Sequence, residues 1–295
     1  MRKIICIVGP TAVGKTKLSI ELALKYNGEI INADSTQIFD GMDIATAKVT
    51  KEEMKNINHH LLSIKNITDD YSVFDYQKDS RKAIDEIFNK GKTPIIVGGT
   101  GLYIKACLYD YKFNIESVKK DYSKYTNEEL YNELLKIDPN TEIHINNRKR
   151  VERALDYYYS TGNKISEKEK ATKLLYDTIF IGLTTDRKKL YSMIDNRVDQ
   201  MLKKGLIEEA KKIYDSNIRT KAVLTPIGYK ELFPYFEGNE TLNVSIELIK
   251  QKSRRYAKRQ YTWFNNQMNV KWFNTDYENF NNTIKEIERY IGGIL

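Results

Sequence analysis

The sequence predicts an α/β protein in which a parallel sheet is flanked by helices, with a mostly helical insertion. Two observations support this fold class. In the first hundred residues, short and continuously apolar runs, typical of strands buried on both faces, alternate with segments that have the apolar spacing of helices. A glycine-rich motif at residues 9–16 lies between the first apolar run and the first helical segment.

The first part of the chain alternates strictly between the two kinds of element. The apolar pattern predicts strands over residues 3–8, 29–32 and 93–97, and helices over residues 17–26 and 75–89. Because strand and helix alternate, consecutive strands are expected to run parallel.

Beyond residue 112 the sequence becomes polar, rich in tyrosine and dense in charge. Helical spacing over 127–137 and 149–159 predicts a helical insertion at 113–175, so that the core comprises 1–112 and 176–295. A strand at 178–183 returns the chain to the sheet. Further helices are expected at 190–203, 207–214, 227–236 and 244–264, followed by polar tail segments.

Composition excludes several classes of protein. No apolar run approaches the roughly 18 residues needed to cross a bilayer, and no secretory signal is visible, so we expect a cytoplasmic protein and no membrane partner. The cysteines, Cys6 and Cys107, form neither a Cys-x-x-Cys motif nor a Cys/His cluster, which excludes a zinc or disulfide framework. The net charge of +8 permits a polyanionic partner.

The motif at residues 9–16 fits the pattern G-x-x-x-x-G-K-S/T, directly after a strand and directly before a helix. In this context backbone N–H groups and the helix N-terminus bind phosphates, Lys15 adds a positive charge, and Thr16 can hold Mg²⁺. We therefore predict a P-loop NTPase-like core that binds a diphosphate. The predicted cradle consists of Gly9, Pro10, Thr11, Ala12, Val13, Gly14, Lys15 and Thr16.

The carboxylate that accompanies a nucleotide-hydrolysing P-loop is missing from its usual place. The apolar strand at 93–97 ends in a Gly-Gly-Thr-Gly turn without an acidic residue, whereas Asp34 and Ser35 follow the strand at 29–32. A carboxylate at that strand end, beside the cradle, suits activation of an acceptor. The pattern indicates a transferase that binds a diphosphate and activates a second substrate.

At this point the chain resembles the tRNA dimethylallyltransferases, also called tRNA isopentenyltransferases. The matching motifs run from one end of the chain to the other. They are GPTAVGKT at 9–16, NADSTQIF at 32–39, GMDIATAK at 41–48, HHLL at 59–62, VGGTGLY at 97–103, RVERAL at 150–155, IGYKE at 227–231 and YAKRQYTWF at 256–264.

The resemblance implies transfer of the prenyl group of dimethylallyl diphosphate to the N6 amine of adenosine 37, in tRNAs that read codons starting with U. It also implies Mg²⁺ and an insertion that helps to clasp the anticodon stem-loop, and we expect a monomer. The chain departs from the family pattern at Phe39, where Tyr is usual, at Ala45, where Gly is usual, at Asn147, where Asp is frequent, and at Pro226.

The chemistry and the resemblance together assign roles at the site. Asp34 is expected to act as the base that accepts the amine proton late in the reaction. Thr100 resembles the family residue beside the reacting amine or the diphosphate, and Arg197 resembles the family arginine that binds the diphosphate. The segment expected to contact tRNA near the acceptor is Asp34, Ser35, Thr36 and Gln37.

Two basic clusters are expected to bind RNA phosphates. The first, Arg148, Lys149, Arg150 and Arg153, lies at the start of a helix and matches a family segment, in which Lys149, Arg150, Val151, Glu152 and Arg153 are assigned to tRNA. The second is Lys250, Lys252, Arg254, Arg255, Lys258 and Arg259, which span about 200° of one helix, opposite apolar residues expected to be buried. From this second cluster, Arg255 and Lys258 are assigned to tRNA contact.

Two other functions stay open on sequence grounds. One is an isopentenyltransferase acting on free AMP, ADP or ATP, which would need neither the insertion nor the basic helix. The other is a P-loop RNA-binding protein without covalent chemistry, which the position of Asp34 opposes. The adjacent His59 and His60 are interpreted as fold residues, because neighbouring side chains on a regular element cannot both face one metal ion.

Overall fold

The computed structural model describes residues 3–113, 120–167 and 171–294, which form two compact units. The first unit comprises Met1–Tyr109 and Leu174–Leu295, and the second is Asp110–Lys173. Among the helices in these described ranges, none is long and apolar enough to span a membrane.

The first unit is built on one parallel sheet, as the sequence predicts. The strand order across the sheet is β3-β2-β4-β1-β5-β6, and every neighbouring pair is parallel. The strands are β1 (Lys3–Val8), β2 (Gly28–Asn32), β3 (His59–His60), β4 (Thr93–Val97), β5 (Asp177–Thr184) and β6 (Lys271–Asn274).

One set of helices flanks this sheet in the first unit, and two other helices lie in the second unit. In the first unit they are α1 (Lys15–Lys25), α2 (Val73–Asn89), α3 (Gly101–Leu108), α6 (Arg187–Lys203), α7 (Leu206–Asp215), α8 (Lys221–Leu224), α9 (Phe233–Phe236), α10 (Leu242–Gln267) and α11 (Phe280–Gly292). In the second unit they are α4 (Asn127–Ile137) and α5 (Arg148–Thr161).

The central strand β1 explains why the core lies where it does. Its residues Ile4, Ile5 and Ile7 are fully or almost fully buried, because helices cover both faces of the sheet. Leu18 and Leu22 of α1 pack into the same core. This packing places the N-terminus of α1 directly after the strand, where the glycine-rich loop must turn.

The predicted helix at residues 227–236 is wrong. Only its last residues are helical, as α9, because Gly228 adopts a backbone φ of 131° that interrupts a helix. Its N–H donates to Oε2 of Glu231 at 2.8 Å, and Oε1 of Glu231 accepts from Lys252 of α10 at 3.0 Å. The segment is a turn that holds a buried carboxylate against α10.

The polar tail expected after residue 264 is also corrected. β6 pairs in parallel with β5 and extends the sheet, and α11 packs against α1. On α11 the buried residues Ile284, Ile287 and Ile291 form one face with helical spacing. A four-residue strand and a helix with mostly polar residues look like tail segments in sequence, yet both complete the core.

The second unit has its own small core, formed between α4 and α5 by Leu130, Leu134, Val151 and Leu155. Arg148, at the start of α5, closes this unit. Its guanidinium donates to the backbone oxygens of Tyr122 and Tyr125 at 2.6 and 2.9 Å.

Candidate active site

Three loops meet at the carboxyl ends of adjacent strands. β4 lies between β2 and β1, and Val97 of β4 pairs with Asn32 on one side and with Ile7 on the other. The P-loop therefore emerges from β1 next to the turn that carries Thr100 after β4. Asp34 follows β2 on the other side of that turn. Clefts at such strand ends are where parallel α/β sheets bind ligands.

Close packing explains the two glycines of the P-loop. Gly9 has a φ of 139°, and a Cβ at that position would lie 2.5 Å from the backbone oxygen of Leu183. Gly14 has a φ of 92°, and a Cβ there would lie 2.6 Å from the Phe280 ring. Because no other residue tolerates these positions, the loop keeps the tight conformation that phosphate binding requires.

Lys15 lies folded over the P-loop. Its Nζ donates to the backbone oxygens of Gly9 and Pro10 at 2.9 and 2.7 Å. Burial lowers the pKa of Lys15 to about 7, aided by the positive charge of Arg197 and opposed by the negative charge of Asp34. An incoming diphosphate would supply the negative charge that keeps this ammonium protonated.

Arg197 reaches this cradle from α6. Burial lowers the pKa of its guanidinium, whereas the negative charges of Asp34 and Glu53 favour the charged form. Lys15 and Arg197 therefore form a positive pair beside the carboxylate of Asp34. The structure brings together these three residues, which lie far apart in the sequence.

Local hydrogen bonds hold Asp34 after β2. Asn32 accepts from the Asp34 N–H at 3.0 Å and donates to the backbone oxygen of Leu61 at 2.9 Å. Oδ1 of Asp34 accepts from the N–H and the hydroxyl of Thr36 at 3.0 and 2.7 Å. Within the described residues no protein donor bonds to Oδ2, so this oxygen is available to a substrate.

Thr100 connects the Asp34 segment to the turn after β4. Its hydroxyl accepts from the Ser35 N–H at 3.0 Å and contacts the Ser35 hydroxyl at 3.3 Å. Its N–H donates to the backbone oxygen of Ala33 at 3.1 Å. Gln37 is turned away from Thr100 and donates from Nε2 to the backbone oxygen of Thr46 at 3.0 Å.

Two tyrosines line the same site. Burial and the nearby charge of Asp34 raise the pKa of Tyr103 to about 12. The same two causes raise the pKa of Tyr256, a residue of α10 that also contacts Thr100. Both phenols therefore stay neutral near the carboxylate of Asp34, and the Tyr103 ring is held in place by stacking on the buried Tyr76 ring.

The C-terminal segment supports the back of the P-loop, which the sequence did not predict. The Thr275 hydroxyl donates to the Val13 backbone oxygen at 3.1 Å, and the Tyr277 hydroxyl donates to the Ala12 oxygen at 3.3 Å. These contacts occupy carbonyl groups of the loop, so its N–H groups can face an anion. The sequence carries no signal for this role, because the segment was interpreted as a polar tail.

The charged face of α10 is smaller than the sequence predicts. Lys250, Lys252 and Arg254 are bound within the protein, to Asp199 at 2.8 Å, Glu231 at 3.0 Å and Asp195 at 2.5 Å respectively. The prediction used the positions of these residues on α10 alone. In the fold, α6 and the Gly228 turn pack against α10 and supply acidic partners. The cations that stay exposed are Arg255, Lys258 and Arg259. The apolar face is confirmed in part: Ile249, Ala257 and Phe264 are buried, whereas Tyr256 and Trp263, also expected to be buried, are half-buried.

In the second unit, α5 presents three exposed cations, Lys149, Arg150 and Arg153. Other residues of the predicted cluster and segment are engaged within the unit: Val151 is buried, and Arg148, which was expected to bind RNA, instead donates to Glu152 at 2.7 Å. The side chains that can meet RNA phosphates are therefore the three cations.

Glu29, near the start of β2, and His60, in β3, form a polar network away from these loops. Glu29 is 3% exposed and accepts from Lys92 at 2.8 Å, His60 at 2.7 Å and Lys90 at 3.0 Å. Burial alone would raise the Glu29 pKa, but these hydrogen bonds outweigh it and hold the pKa well below its ordinary value. His60 thus serves the fold, as predicted, and His59 is likewise held by a hydrogen bond between its Nδ1 and the backbone oxygen of Ile57 at 2.9 Å.

The residues present fit a Mg²⁺ ion held mainly by the substrate. The Thr16 side chain is exposed in the first turn of α1, beside the cradle. Among the described residues, no group of three His, Cys, Asp or Glu side chains forms a metal cage. Mg²⁺ commonly takes one or two protein ligands and completes its shell with phosphate oxygens and water.

The chain matches one protein family over most of its length. A family model described as IPP transferase covers residues 37–267. The tRNA dimethylallyltransferase of Anoxybacillus flavithermus is 49% identical over 300 residues, which span 99% of this chain and 96% of that protein.

Solved structures agree with the sequence match. The crystal structure of tRNA delta(2)-isopentenylpyrophosphate transferase from Staphylococcus epidermidis superposes with a TM-score of 0.76 at 42% identity, covering all of both chains. A eukaryotic dimethylallyltransferase acting on tRNA superposes with a TM-score of 0.86 at 32% identity, over 98% of this chain and 78% of that one. The chain therefore belongs to the IPP transferase family and is similar along its whole length to the tRNA dimethylallyltransferases.

Proposed function

We propose that this protein transfers the dimethylallyl group from dimethylallyl diphosphate to the N6 amine of adenosine 37 in tRNAs that read codons starting with U. One observation carries the proposal: the P-loop after β1, with Lys15 and Arg197, lies near the carboxylate of Asp34, which follows β2 on the far side of β4. That arrangement suits a diphosphate leaving group on one side and an amine acceptor on the other. The relatives' names support a dimethylallyl group as the transferred group and tRNA as the acceptor, whereas adenosine 37 and the codon class rest on the resemblance of the sequence motifs.

The P-loop and its two cations bind the leaving group. As the bond between the allylic carbon and the diphosphate oxygen breaks, negative charge develops on that oxygen. Lys15, Arg197 and the loop N–H groups stabilise this charge. Thr16 would hold Mg²⁺, which would supply further positive charge beside the leaving group.

Asp34 and Thr100 act on the acceptor side. The lone pair of N6 forms the new bond to the allylic carbon, and the nitrogen then carries a positive charge and one proton more than the product amine. Oδ2 of Asp34 takes that proton, which completes the transfer and leaves the secondary amine and free diphosphate. Thr100, through its hydrogen bonds with Ser35, fixes the separation between this carboxylate segment and the turn after β4.

The RNA is proposed to be the anticodon stem-loop of a tRNA. The segment from Asp34 to Gln37 would contact the acceptor nucleotide and its neighbours, and the exposed cations of α5 and α10 would bind phosphates. We propose that the protein acts as a monomer and, because its substrate is tRNA, in the cytoplasm.

A labelled-donor experiment tests the proposal. Purified protein is incubated with labelled dimethylallyl diphosphate, Mg²⁺ and either unmodified tRNA or AMP, and the tRNA product is digested to nucleosides. Label is expected in a single prenylated adenosine of tRNA, absent when a transcript carries guanosine at position 37. Label in AMP alone, or in neither substrate, would overturn the proposal.

A further inference from the structure

Gln260 of α10 bridges two of the three loops that form the candidate active site. Its Oε1 accepts from the N–H of Thr11 in the P-loop at 3.1 Å, and its Nε2 donates to the backbone oxygen of Gly99 at 3.1 Å. The side chain is 5% exposed. Water therefore cannot replace either bond without opening the site, and losing one leaves a buried polar group unpaired.

The two partners fix the orientation of the carboxamide. Thr11 N–H can only donate and the Gly99 oxygen can only accept, so a flipped amide would place like groups against each other. The approach to the turn is also close, since a Cβ at Gly99 would lie 2.0 Å from Nε2 of Gln260. The close approach of the Gln260 side chain therefore requires glycine at position 99, whether or not a substrate also approaches this turn.

Gln260 belongs to a row of side chains that follows the turn after β4. Tyr256, Gln260 and Trp263 have the spacing i, i+4 and i+7, which places them on one face of α10. Tyr256 contacts Thr100, and a Cβ at Gly101 would lie 2.0 Å from the Trp263 ring. Within this row, Gln260 is the member that bonds both to the turn and to the P-loop.

The bridge sets a distance that prenyl transfer depends on. The P-loop binds the donor, whereas the turn carries Thr100, which is hydrogen-bonded to the Asp34 segment. The pairing of β1 with β4 ends at Ile7 and Val97. Past that point, the Gln260 carboxamide joins the P-loop to the turn after β4. Reacting atoms must approach to about 3–3.5 Å, and an error of about 1 Å can cost roughly 10²-fold in rate.

We propose that Gln260 is a positioning residue for the transfer reaction, which holds the donor cradle in register with the acceptor-side turn. It acts through Thr11 and Gly99 and bonds directly to neither substrate. The inference rests on the proposed function, because the distance matters only when a donor in the P-loop reacts with an acceptor beside Thr100.

The test replaces the amide while keeping its volume. Gln260→Met retains an unbranched side chain of similar length and removes both hydrogen bonds to the loops, together with the side-chain hydrogen bond to Tyr256. Gln251→Met is the matched control, since Gln251 is an exposed residue of the same helix. With tRNA and dimethylallyl diphosphate both saturating, kcat of Gln260→Met is expected to fall about 10- to 100-fold. Its KM for the donor rises, and its Kd for tRNA stays within about twofold of the wild type.

A second variant guards against poor folding of the first. Gln260→Asn keeps the amide but is one methylene shorter, so it cannot span both partners, and the same loss of kcat is expected. Circular dichroism melting of each variant measures the folded fraction, to which kcat is normalised. Gln251→Met should match the wild type throughout.

Three results would overturn the inference. They are a folded Gln260 variant with kcat within twofold of the wild type, an equal loss in Gln251→Met, and a loss confined to tRNA affinity. Failure of the proposed function is separate, because it would appear as an absence of labelled tRNA with the wild-type protein itself.

Discussion

Replacing Arg255 and Lys258 together by Gln tests whether the exposed face of α10 binds RNA phosphates. Both side chains are exposed, and in the part of the chain that the structure describes neither forms an ion pair. By contrast, Lys250, Lys252 and Arg254 are already neutralised by acidic partners. The double replacement therefore removes two charges that RNA can use and leaves the packed face of the helix intact.

The expected magnitude follows from counterion release. Each phosphate contact contributes about 0.9 to the slope of log affinity against log salt on a duplex and about 0.7 on a single strand. Two lost contacts should flatten the slope by about 1.4 to 1.8. Between 50 and 200 mM salt, the affinity of the variant should then fall roughly 7- to 12-fold less than that of the wild type.

The assay is tRNA binding by filter retention or fluorescence anisotropy over a salt series. The matched control replaces Lys78 of α2 and Lys285 of α11 by Gln; both are exposed and form no ion pair within the described residues, and the change in net charge is the same. That control should keep the wild-type slope, and the transfer rate of the α10 variant at saturating tRNA should stay within a few-fold. Equal slopes for the two double variants would refute a local RNA contact at α10.

Three further predictions concern ionisable groups. Lys15→Ala should weaken donor binding and leave tRNA affinity unchanged. The pKa of Lys15 is about 7 without donor, so wild-type donor affinity should fall up to about tenfold per pH unit as pH rises from 7 to 9. Lys15→Arg should show no such decline, because arginine stays charged. Parallel pH profiles of donor affinity for the two proteins would contradict this. Asp34→Asn should lower the single-turnover rate by roughly 10² to 10⁴, and a normal rate would exclude Asp34 as the base. Glu29→Gln should lower the free energy of unfolding by about 2 kcal/mol at pH 7. Since the folded-state pKa of Glu29 lies below its ordinary 4.5, the difference between variant and wild type should shrink as pH falls below 4.5, and a constant difference in urea unfolding would contradict this.

Features that depend on local sequence were predictable. The cradle at 9–16 is identified by glycines and their position between a strand and a helix, and the site of Asp34 follows from the end of a buried strand. Because neighbouring parallel strands end at one edge, the meeting of these segments could be expected as well. What the local pattern cannot provide is the set of partners that each side chain finds.

Features that depend on partners distant in sequence were missed or wrong. Gln260 bonds to residues 249 and 161 positions away, and nothing near it in sequence indicates this. The surplus charge on α10 was overestimated because Asp195, Asp199 and Glu231 lie on other segments. The predicted helix at 227–236 had suitable apolar spacing, but the positive φ of Gly228 is set by tertiary packing.

The contacts of Thr275 and Tyr277 with the P-loop have a consequence for synthesis of the chain. They join residues 262 and 265 positions apart, which places the first and last parts of the polypeptide in one local structure. During translation the loop leaves the ribosome long before its support does. The P-loop of the nascent chain therefore lacks these contacts until β6 and α11 emerge. Contacts that form late between residues distant in sequence are of the kind that slows folding. A ribosome-bound chain that ends before residue 270 is accordingly expected to lack donor binding, however well its first strands have formed.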